Sequence, residues 1–240
     1  MTFSRSWATE PASVRVKICG LRSRAEAAHA AACGATYGGL VFFPRSPRHL
    51  TLADARWVGD GMPEGLSRVA LTVDADDATL DAVLDAVRID MLQLHGRETP
   101  ERVAELRQRY RVAVMKAVGV ATESDLAVIG DYARVADQIL IDARAPREAD
   151  RPGGNGLAFD WRLIAGRRWT VPWMLAGGLT PDNIAEAIRL TGATQVDVSS
   201  GVELAPGYKD PAKVSAFVKA ARVAGAENAR TALDDPGVAV

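Results

Sequence analysis

The segment Val16-Lys17-Ile18-Cys19-Gly20 is a short apolar run that ends in a thiol and a glycine. Such a run predicts a buried β-strand. Ser23 and Glu26 follow with the spacing of a capping box, so a helix is expected to begin there. Cys19 is therefore predicted to lie where a first strand gives way to a first helix. In a barrel of parallel strands that end carries the active site, and the thiol there is either a packing group or a reactive one.

Apolar runs and helical patterns alternate eight times between residues 14 and 224. We predict strands at Val14–Ile18, Tyr37–Phe43, Val69–Val73, Met91–Leu94, Val112–Val118, Gln138–Ile141, Val171–Leu175 and Val196–Val198. We predict helices at 23–33, 51–60, 77–87, 100–110, 122–133, 159–165, 181–190 and 211–224. This alternation implies a parallel sheet. Since no G-x-G-x-x-G turn follows the first strand, we expect an α/β protein with a single (β/α)8 TIM barrel rather than an open doubly wound sheet.

The barrel is expected to form one catalytic domain over residues 14–224, between a flexible leader, 1–13, and a mobile tail, 225–240, that lacks periodicity. The chain has 240 residues and a formal net charge of −1, which argues against a nucleic-acid surface. No stretch reaches the roughly 18 consecutive apolar residues of a membrane span. Two cysteines make no disulfide framework, and the first residues do not form a secretory signal, so we expect a cytoplasmic protein.

Glycine-bearing loops follow the last three predicted strands. Glycine lets backbone N–H groups approach an anion closely, and a helix N-terminus adds partial positive charge. One such loop is equally well a tight turn, but three on adjacent barrel strands indicate a phosphate site. We therefore expect a small phosphorylated ligand to be bound by Gly154, Asn155, Gly156, Gly177, Gly178, Ser199, Ser200 and Gly201.

Cys19 and Asp142 end the first and sixth predicted strands, so both are expected to point into the mouth of the barrel. A thiolate is a competent base, whereas a carboxyl that acts as an acid must hold its proton near neutral pH. On the residues alone, a buried free cysteine is more often a packing residue, and Asp142 also suits a turn cap. Cys33, at a helix end, is expected to be part of the core.

Two other segments carry candidate polar contacts. The arginines of the loop 43–49 suit a carboxylate or phosphate, because a guanidinium donates two parallel hydrogen bonds, although a solvated loop is the alternative. His95 ends the fourth predicted strand at the same face, where a polar or packing role is as reasonable as a catalytic one. No grouping of His, Cys and Asp has the spacing of metal ligands, so we predict no metal.

Together these segments resemble one family, the phosphoribosylanthranilate isomerases of tryptophan biosynthesis. The resemblance runs in colinear order from about Val14 to Ala221. Its matching segments are VKICGL at 16–21, FFPRSPR at 42–48, QLHG at 93–96, KAVGV at 116–120, IDA at 141–143, GGNG at 153–156, FDW at 159–161, LAGGL at 175–179 and VDVSSGVE at 196–203.

The resemblance implies an Amadori rearrangement of N-(5-phosphoribosyl)anthranilate to 1-(2-carboxyphenylamino)-1-deoxyribulose 5-phosphate, without cofactor or metal. It implies that Asp142 protonates the ring oxygen of the furanose and that Cys19 removes the proton from C2′. Arg48 matches an arginine that holds the anthranilate carboxylate, and we count His95 and Asp197 among the substrate-binding residues. The glycine loops match the phosphate site. A monomer or a homodimer is expected.

Four positions depart from the usual pattern of the family: Thr72, Asn155, Leu157 and Ala176. They bear on phosphate and substrate affinity rather than on the acid and the base. One alternative is a histidine-pathway isomerase of an aminoribosyl phosphate, but that family pairs two aspartates, so Cys19 speaks against it. The other is a non-catalytic phosphosugar-binding barrel, for which loss of Cys19 or Asp142 would be expected.

Overall fold

The computed structural model of the chain describes residues 14–143 and 160–234. Eight of its strands are β1 Arg15–Cys19, β2 Tyr37–Phe42, β3 Ser67–Thr72, β4 Met91–Leu94, β5 Ala113–Val120, β6 Gln138–Ala143, β7 Trp173–Leu175 and β8 Gln195–Val198. They are parallel and form a closed barrel in chain order, in which β8 also pairs with β1. The predicted (β/α)8 barrel is confirmed.

Helices alternate with the strands along the described chain. They are α1 Arg24–Cys33, α2 Leu52–Asp60, α3 Asp77–Ala86, α4 Pro100–Tyr110, α5 Ile129–Tyr132, α6 Ile184–Thr191 and α7 Pro211–Asp234. The first four helices begin after side-chain caps, whose oxygens accept the N–H of the residue three positions later and so satisfy an otherwise unpaired donor. The caps are Ser23, Thr51, Asp76 and Thr99.

The apolar core has two layers. The larger cluster lies between strands and helices and includes Ile18, Leu92 and Phe217, none of which has exposed surface. A smaller cluster, which includes Met115 and Leu140, comes from alternate strand positions and fills the barrel. Charged and amide side chains are buried as well, and because burying a polar group is costly without partners, such groups mark positions with a specific role.

The C-terminal helix is longer than predicted. We expected the last helix to end near Ala224 and a mobile tail to follow, but α7 continues to Asp234. Gly225 lies against Val14, so closely that an added Cβ atom would be 2.5 Å from Val14 Cγ2. Asn228 donates to the carbonyl of Ile188 at 3.0 Å. Contacts with distant elements therefore stabilise a segment in which the local sequence shows no clear period.

Three other predicted elements differ from the observed ones. The helix expected at 122–133 is a 3-10 turn, Glu123–Leu126, followed by the short α5. The helix expected after Thr180-Pro181 begins only at Ile184, because Asn183 accepts the N–H of Thr180 and donates to the carbonyl of Gly178, which holds residues 180–183 as a turn. Within 159–165, the described residues form a 3-10 turn, Trp161–Leu163.

A hairpin follows β8 where we expected a plain loop. It consists of β9 Glu203–Ala205 and β10 Tyr208–Lys209, which are antiparallel. Glu203 and Lys209 are buried, whereas Leu204 and Tyr208 are exposed. The hairpin therefore turns two charged side chains inward, towards the mouth of the barrel.

Candidate active site

Four predicted site residues come from the carboxyl ends of different strands. Cys19 is the last residue of β1, Asp142 is next to last in β6, Asp197 lies in β8, and His95 directly follows β4. Cys19, Asp142 and Asp197 are between 4% and 8% exposed. Parallel strands bring their carboxyl ends to one face of a barrel, so these groups share the face at which barrel enzymes carry out their chemistry.

Lys17 connects Cys19 with Asp197. Its side chain has no exposed surface, and its Nζ donates to Asp197 Oδ1 at 3.0 Å, because the barrel closes with these two residues opposite each other. A Cβ atom added to Gly39 would lie 3.1 Å from Cys19 Sγ and 3.2 Å from Lys17 Nζ. Gly39 therefore leaves the space in which the thiol and the ammonium group meet.

The charges around the thiol act in opposite directions. Burial raises the pKa of the Cys19 thiol, since a thiolate would lose its hydration; the positive charge of Lys17 opposes this shift, and the carboxylate of Asp197 adds to it. For Lys17, burial lowers the pKa, but Asp197 and Cys19 outweigh it, so that the pKa of Lys17 is raised. Lys17 is thus a permanent positive charge beside a thiol that, in the free site, keeps its proton to higher pH than an ordinary cysteine.

Asp142 is held from two sides. Its Oδ1 accepts the N–H of Ala143 at 2.8 Å, and its Oδ2 lies 3.3 Å from His95 Nε2. On the other side of the imidazole, Nε2 of the fully buried Gln93 lies 2.9 Å from His95 Nδ1. Gln93 thus contacts the imidazole on the side away from Asp142. The chain of contacts orients the carboxyl group that the sequence identified as a candidate acid.

Arg48 is buried and paired rather than exposed on a loop. Its Nε donates to Glu203 Oε1 at 2.7 Å and its Nη2 donates to Glu203 Oε2 at 2.8 Å. Lys209 Nζ lies 2.8 Å from the same Oε1 and also donates to the carbonyl of Ser199 at 3.0 Å. The reading of the 43–49 segment as a solvated loop is therefore wrong for Arg48, which is 4% exposed.

The glycine loops after β7 and β8 lie against each other. Gly177 and Gly178 have φ values of 87° and 66°, in the left-handed region that favours glycine. Across from them, a Cβ atom on Gly201 would come within 1.9 Å of the carbonyl oxygen of Leu179, so no other residue fits there. Ser199 Oγ donates to the carbonyl of Cys19 at 3.1 Å, which connects the last loop to β1.

The third predicted phosphate loop is outside the described residues. Gly154, Asn155 and Gly156 belong to the stretch 144–159, as does Leu157. The other two departures from the family pattern are in the described part: Ala176 is 3% exposed in the barrel cluster, and Thr72 has no exposed surface.

Four residues of the site were not predicted from the sequence: Lys17, Gln93, Glu203 and Lys209. Lys17 and Gln93 were detectable in principle, since each stands two residues before a candidate, on the same face of its strand. Glu203 and Lys209 carry no such local signal. Cys33 packs partly buried against the outer core, near His29 and Ser215, as expected for a structural cysteine.

The described residues form neither a cluster of metal ligands nor a membrane-spanning helix. In residues 14–143 and 160–234 no cluster of three or more His, Cys, Asp or Glu side chains is arranged to hold a metal ion. Over the same part of the chain, no helix combines the length and apolar character needed to cross a membrane.

Comparison with known proteins identifies the family. A model described as N-(5'phosphoribosyl)anthranilate (PRA) isomerase matches residues 16–220. The chain belongs to this isomerase family. An N-(5'-phosphoribosyl)anthranilate isomerase from Cereibacter sphaeroides is 65% identical over 211 residues, which are 88% of this chain and 100% of that one. The protein of the same name from Ruegeria sp. is 55% identical and covers 88% of this chain and 99% of its own.

Solved structures of the family have the same barrel. Phosphoribosyl anthranilate isomerase from Thermotoga maritima is 36% identical, with a TM-score of 0.79 over 88% of this chain and 99% of that one. A second structure, in complex with reduced 1-(o-carboxyphenylamino)-1-deoxyribulose 5-phosphate, is 34% identical with a TM-score of 0.75 over the same shares. The family, the barrel and the isomerase activity in tryptophan biosynthesis that we expected from the sequence are confirmed.

Proposed function

We propose that this isomerase converts N-(5-phosphoribosyl)anthranilate to 1-(2-carboxyphenylamino)-1-deoxyribulose 5-phosphate with Cys19 as general base and Asp142 as general acid. The observation that carries the assignment is the pair of buried side chains at the carboxyl ends of β1 and β6, each supported by its own polar contacts. Membership of the isomerase family supports the substrate.

In the first step, the protonated Asp142 carboxyl gives its proton to the ring oxygen of the ribose. The bond between that oxygen and C1′ breaks, and the nitrogen lone pair forms a protonated Schiff base. His95 supports this step by holding Oδ2 of Asp142, so that the carboxyl group faces one direction. Oriented acids of this kind contribute about 10²- to 10⁴-fold to a rate.

In the second step, the Cys19 thiolate removes the proton from C2′, and the electron pair of that bond neutralises the Schiff base to give an enolamine. The enolamine then tautomerises to the ketone product. Lys17 favours the thiolate by its charge, and Asp197 holds Lys17 through Oδ1. We accordingly propose substrate-binding roles for His95 and Asp197 in addition to these contacts.

The two ends of the substrate are assigned to different loops. Arg48 receives the carboxylate of the anthranilate ring, for which its buried guanidinium is suited. Gly177, Gly178, Ser199, Ser200 and Gly201, together with Gly154, Asn155 and Gly156, receive the phosphate. Backbone N–H groups of the adjoining glycine loops after β7 and β8 support this assignment, because they suit a doubly charged oxyanion.

The cellular setting is part of the proposal. A phosphorylated substrate does not cross membranes, which supports the cytoplasmic location. A solved relative from Thermotoga maritima, 34% identical with a TM-score of 0.75, is described as monomers generated from a dimeric enzyme. We propose a monomer or homodimer for this chain, which sedimentation velocity distinguishes.

The test of this function is turnover of phosphoribosylanthranilate made in situ, followed by its fluorescence. The wild-type chain is expected to consume it and to leave the aminoribosyl phosphate of the histidine pathway unchanged. Binding of the reduced product analogue without turnover would support the non-catalytic alternative and contradict the proposal.

A further inference from the structure

We infer that Glu203 is a positioning residue, which fixes Arg48 so that one edge of its guanidinium selects a substrate with a ring carboxylate. The hairpin β9–β10, which carries Glu203 and Lys209, is then the element that sets this selectivity. The inference rests on the proposed function in one respect, namely that Arg48 receives the carboxylate.

The hydrogen bonds of Arg48 show which edge of its guanidinium group Glu203 does not occupy. Glu203 accepts from Nε and Nη2, at 2.7 and 2.8 Å, and so occupies one edge of the planar group. A guanidinium has five N–H bonds, and the three that remain are two on Nη1 and one on Nη2. Nη1 and Nη2 together form a second edge with two parallel donors, which matches a second carboxylate.

The stem of Arg48 is also held in place. Gly20, at the end of the opening motif, has a φ of 82°, and a Cβ atom there would lie 2.5 Å from Arg48 Cδ. The aliphatic part of the Arg48 side chain thus packs against the backbone of Gly20, which has no side chain of its own. Arginine has many rotamers, and ordering it during binding would weaken affinity. With its stem on Gly20 and its head on Glu203, Arg48 is ordered before the ligand arrives.

The charges of Arg48, Lys209 and Glu203 together favour the binding of one further anion. Arg48 and the protonated Lys209 share one anion, Glu203, so the group carries one more positive than negative charge. Burial lowers the pKa of Lys209, although the charge of Glu203 opposes this shift. Burial would raise the pKa of Glu203, but the hydrogen bonds from Arg48 and the charge of Lys209 outweigh it and lower the pKa. Glu203 is therefore ionised at neutral pH, and one ligand carboxylate completes the charge balance of the group.

The hairpin is built against the loop that carries Arg48. A Cβ atom on Gly207, between β9 and β10, would lie 2.5 Å from the carbonyl oxygen of Pro47. From the other side, Lys213 of α7 donates to the carbonyl of Glu203 at 2.9 Å. These contacts bring Glu203 to Arg48 across 155 positions of sequence.

The experiment compares two stable ligands by calorimetry: the reduced 1-(2-carboxyphenylamino)-1-deoxyribulose 5-phosphate, and the same compound without the ring carboxylate. The wild-type protein is expected to prefer the first by about 10- to 100-fold, the range for hydrogen bonds to a charged group. Glu203→Gln and the double variant Glu203→Gln, Lys209→Met are expected to reduce this preference below about threefold. In Glu203→Gln the affinity for the carboxylate-free ligand should stay within about twofold of the wild type, whereas the double variant is judged by the preference alone, because Lys209 also donates to Ser199 in the phosphate loop.

The double variant distinguishes the effect of losing the contact that positions Arg48 from the effect of changing the net charge of the group. It removes one negative and one positive side chain, so the net charge of the group equals that of the wild type while Arg48 loses its partner. Lys213→Met, which alters only a contact to the backbone of Glu203, is the matched control and should keep the wild-type preference. A preference retained in both Glu203 variants, or increased in Glu203→Gln, overturns the inference.

A further variant distinguishes failure of the inference from failure of its premise. Arg48→Leu is expected to abolish the preference. If it does and the Glu203 variants do not, the positioning role is wrong while the carboxylate contact stands. If Arg48→Leu keeps the preference, the carboxylate binds elsewhere and both are wrong. Turnover of phosphoribosylanthranilate by the wild-type chain tests the proposed function independently of each outcome.

Discussion

His95 Nε2 lies 3.3 Å from Asp142 Oδ2, although His95 follows β4 and Asp142 lies in β6, strands that are not neighbours in the barrel. Gln93 fixes the imidazole from the other side through its contact with Nδ1. A candidate general acid is therefore contacted by a histidine that a buried amide holds from the other side.

Gln93→Leu is expected to lower kcat by about fivefold, because one hydrogen bond of about 1 kcal/mol no longer holds the imidazole. KM should change little, since Gln93 is not assigned a contact with the substrate. Steady-state kinetics measures both. Gln138→Leu is the matched control: it also removes a buried amide of the barrel, which donates to Gln195, but near the amino end of β6. An equal loss of kcat in both variants would mean that general loosening of the barrel is responsible.

Cys19→Ala and Asp142→Asn are each expected to reduce turnover by about 10²- to 10⁴-fold, the range of a general base or acid. The circular dichroism spectrum and the affinity for the reduced product analogue should remain near those of the wild type. Cys33→Ser is the control for thiol loss, because Cys33 is on α1, outside the site. Near-normal turnover of either active-site variant would remove that residue from its role.

The pH dependence of Cys19 alkylation tests the function of Lys17. Because burial raises the thiol pKa, the alkylation rate in a Cys33→Ser background should increase with pH through a midpoint above that of ordinary cysteine. Lys17→Met removes the charge that favours the thiolate and leaves Asp197 unpaired, so the midpoint should move to still higher pH.

The double variant Lys17→Met, Asp197→Asn is the companion measurement. It removes both charges together, and its midpoint should fall back towards that of the wild type, because Asp197 no longer opposes ionisation of the thiol. An unchanged midpoint in Lys17→Met would show that Lys17 does not tune Cys19.

Removal of residues 225–240 tests the extension of α7. The shortened chain loses the hydrogen bond from Asn228 to Ile188 and the contact of Gly225 with Val14. We expect its free energy of unfolding to fall by about 1–3 kcal/mol, measured by urea denaturation. Asn228→Ala alone should account for about 1 kcal/mol of this loss. Equal stability of the shortened and full-length chains would support the mobile tail that the sequence suggested.

Local sequence was sufficient wherever a local rule decides the structure. The strand at β4 and the helix at α4 were predicted with the bounds they have, because Met91–Leu94 is a short run with three apolar residues and Thr99-Pro100 is a strong helix start. It was insufficient where a tertiary contact decides. Thr180-Pro181 looked like an equally good start, but the side chain of Asn183 bonds back to the preceding loop and delays the helix.

The sequence by itself determined that this chain is a barrel, where each barrel strand ends to within two residues and, through its motifs, which family it belongs to. These properties depend on the spacing of apolar residues and on residue types at short range, and both are given directly by the sequence. Only the tertiary structure decided which buried charged side chains pair with each other. Lys17 meets Asp197 because closure of the barrel makes β1 a neighbour of β8. Arg48 meets Glu203 because the hairpin after β8 packs against the loop after β2. No local pattern records a contact between residues 180 or 155 positions apart. The opening motif, which we predicted to be a strand ending in a thiol, thus contributes a buried cation, the proposed base and the glycine against which Arg48 packs.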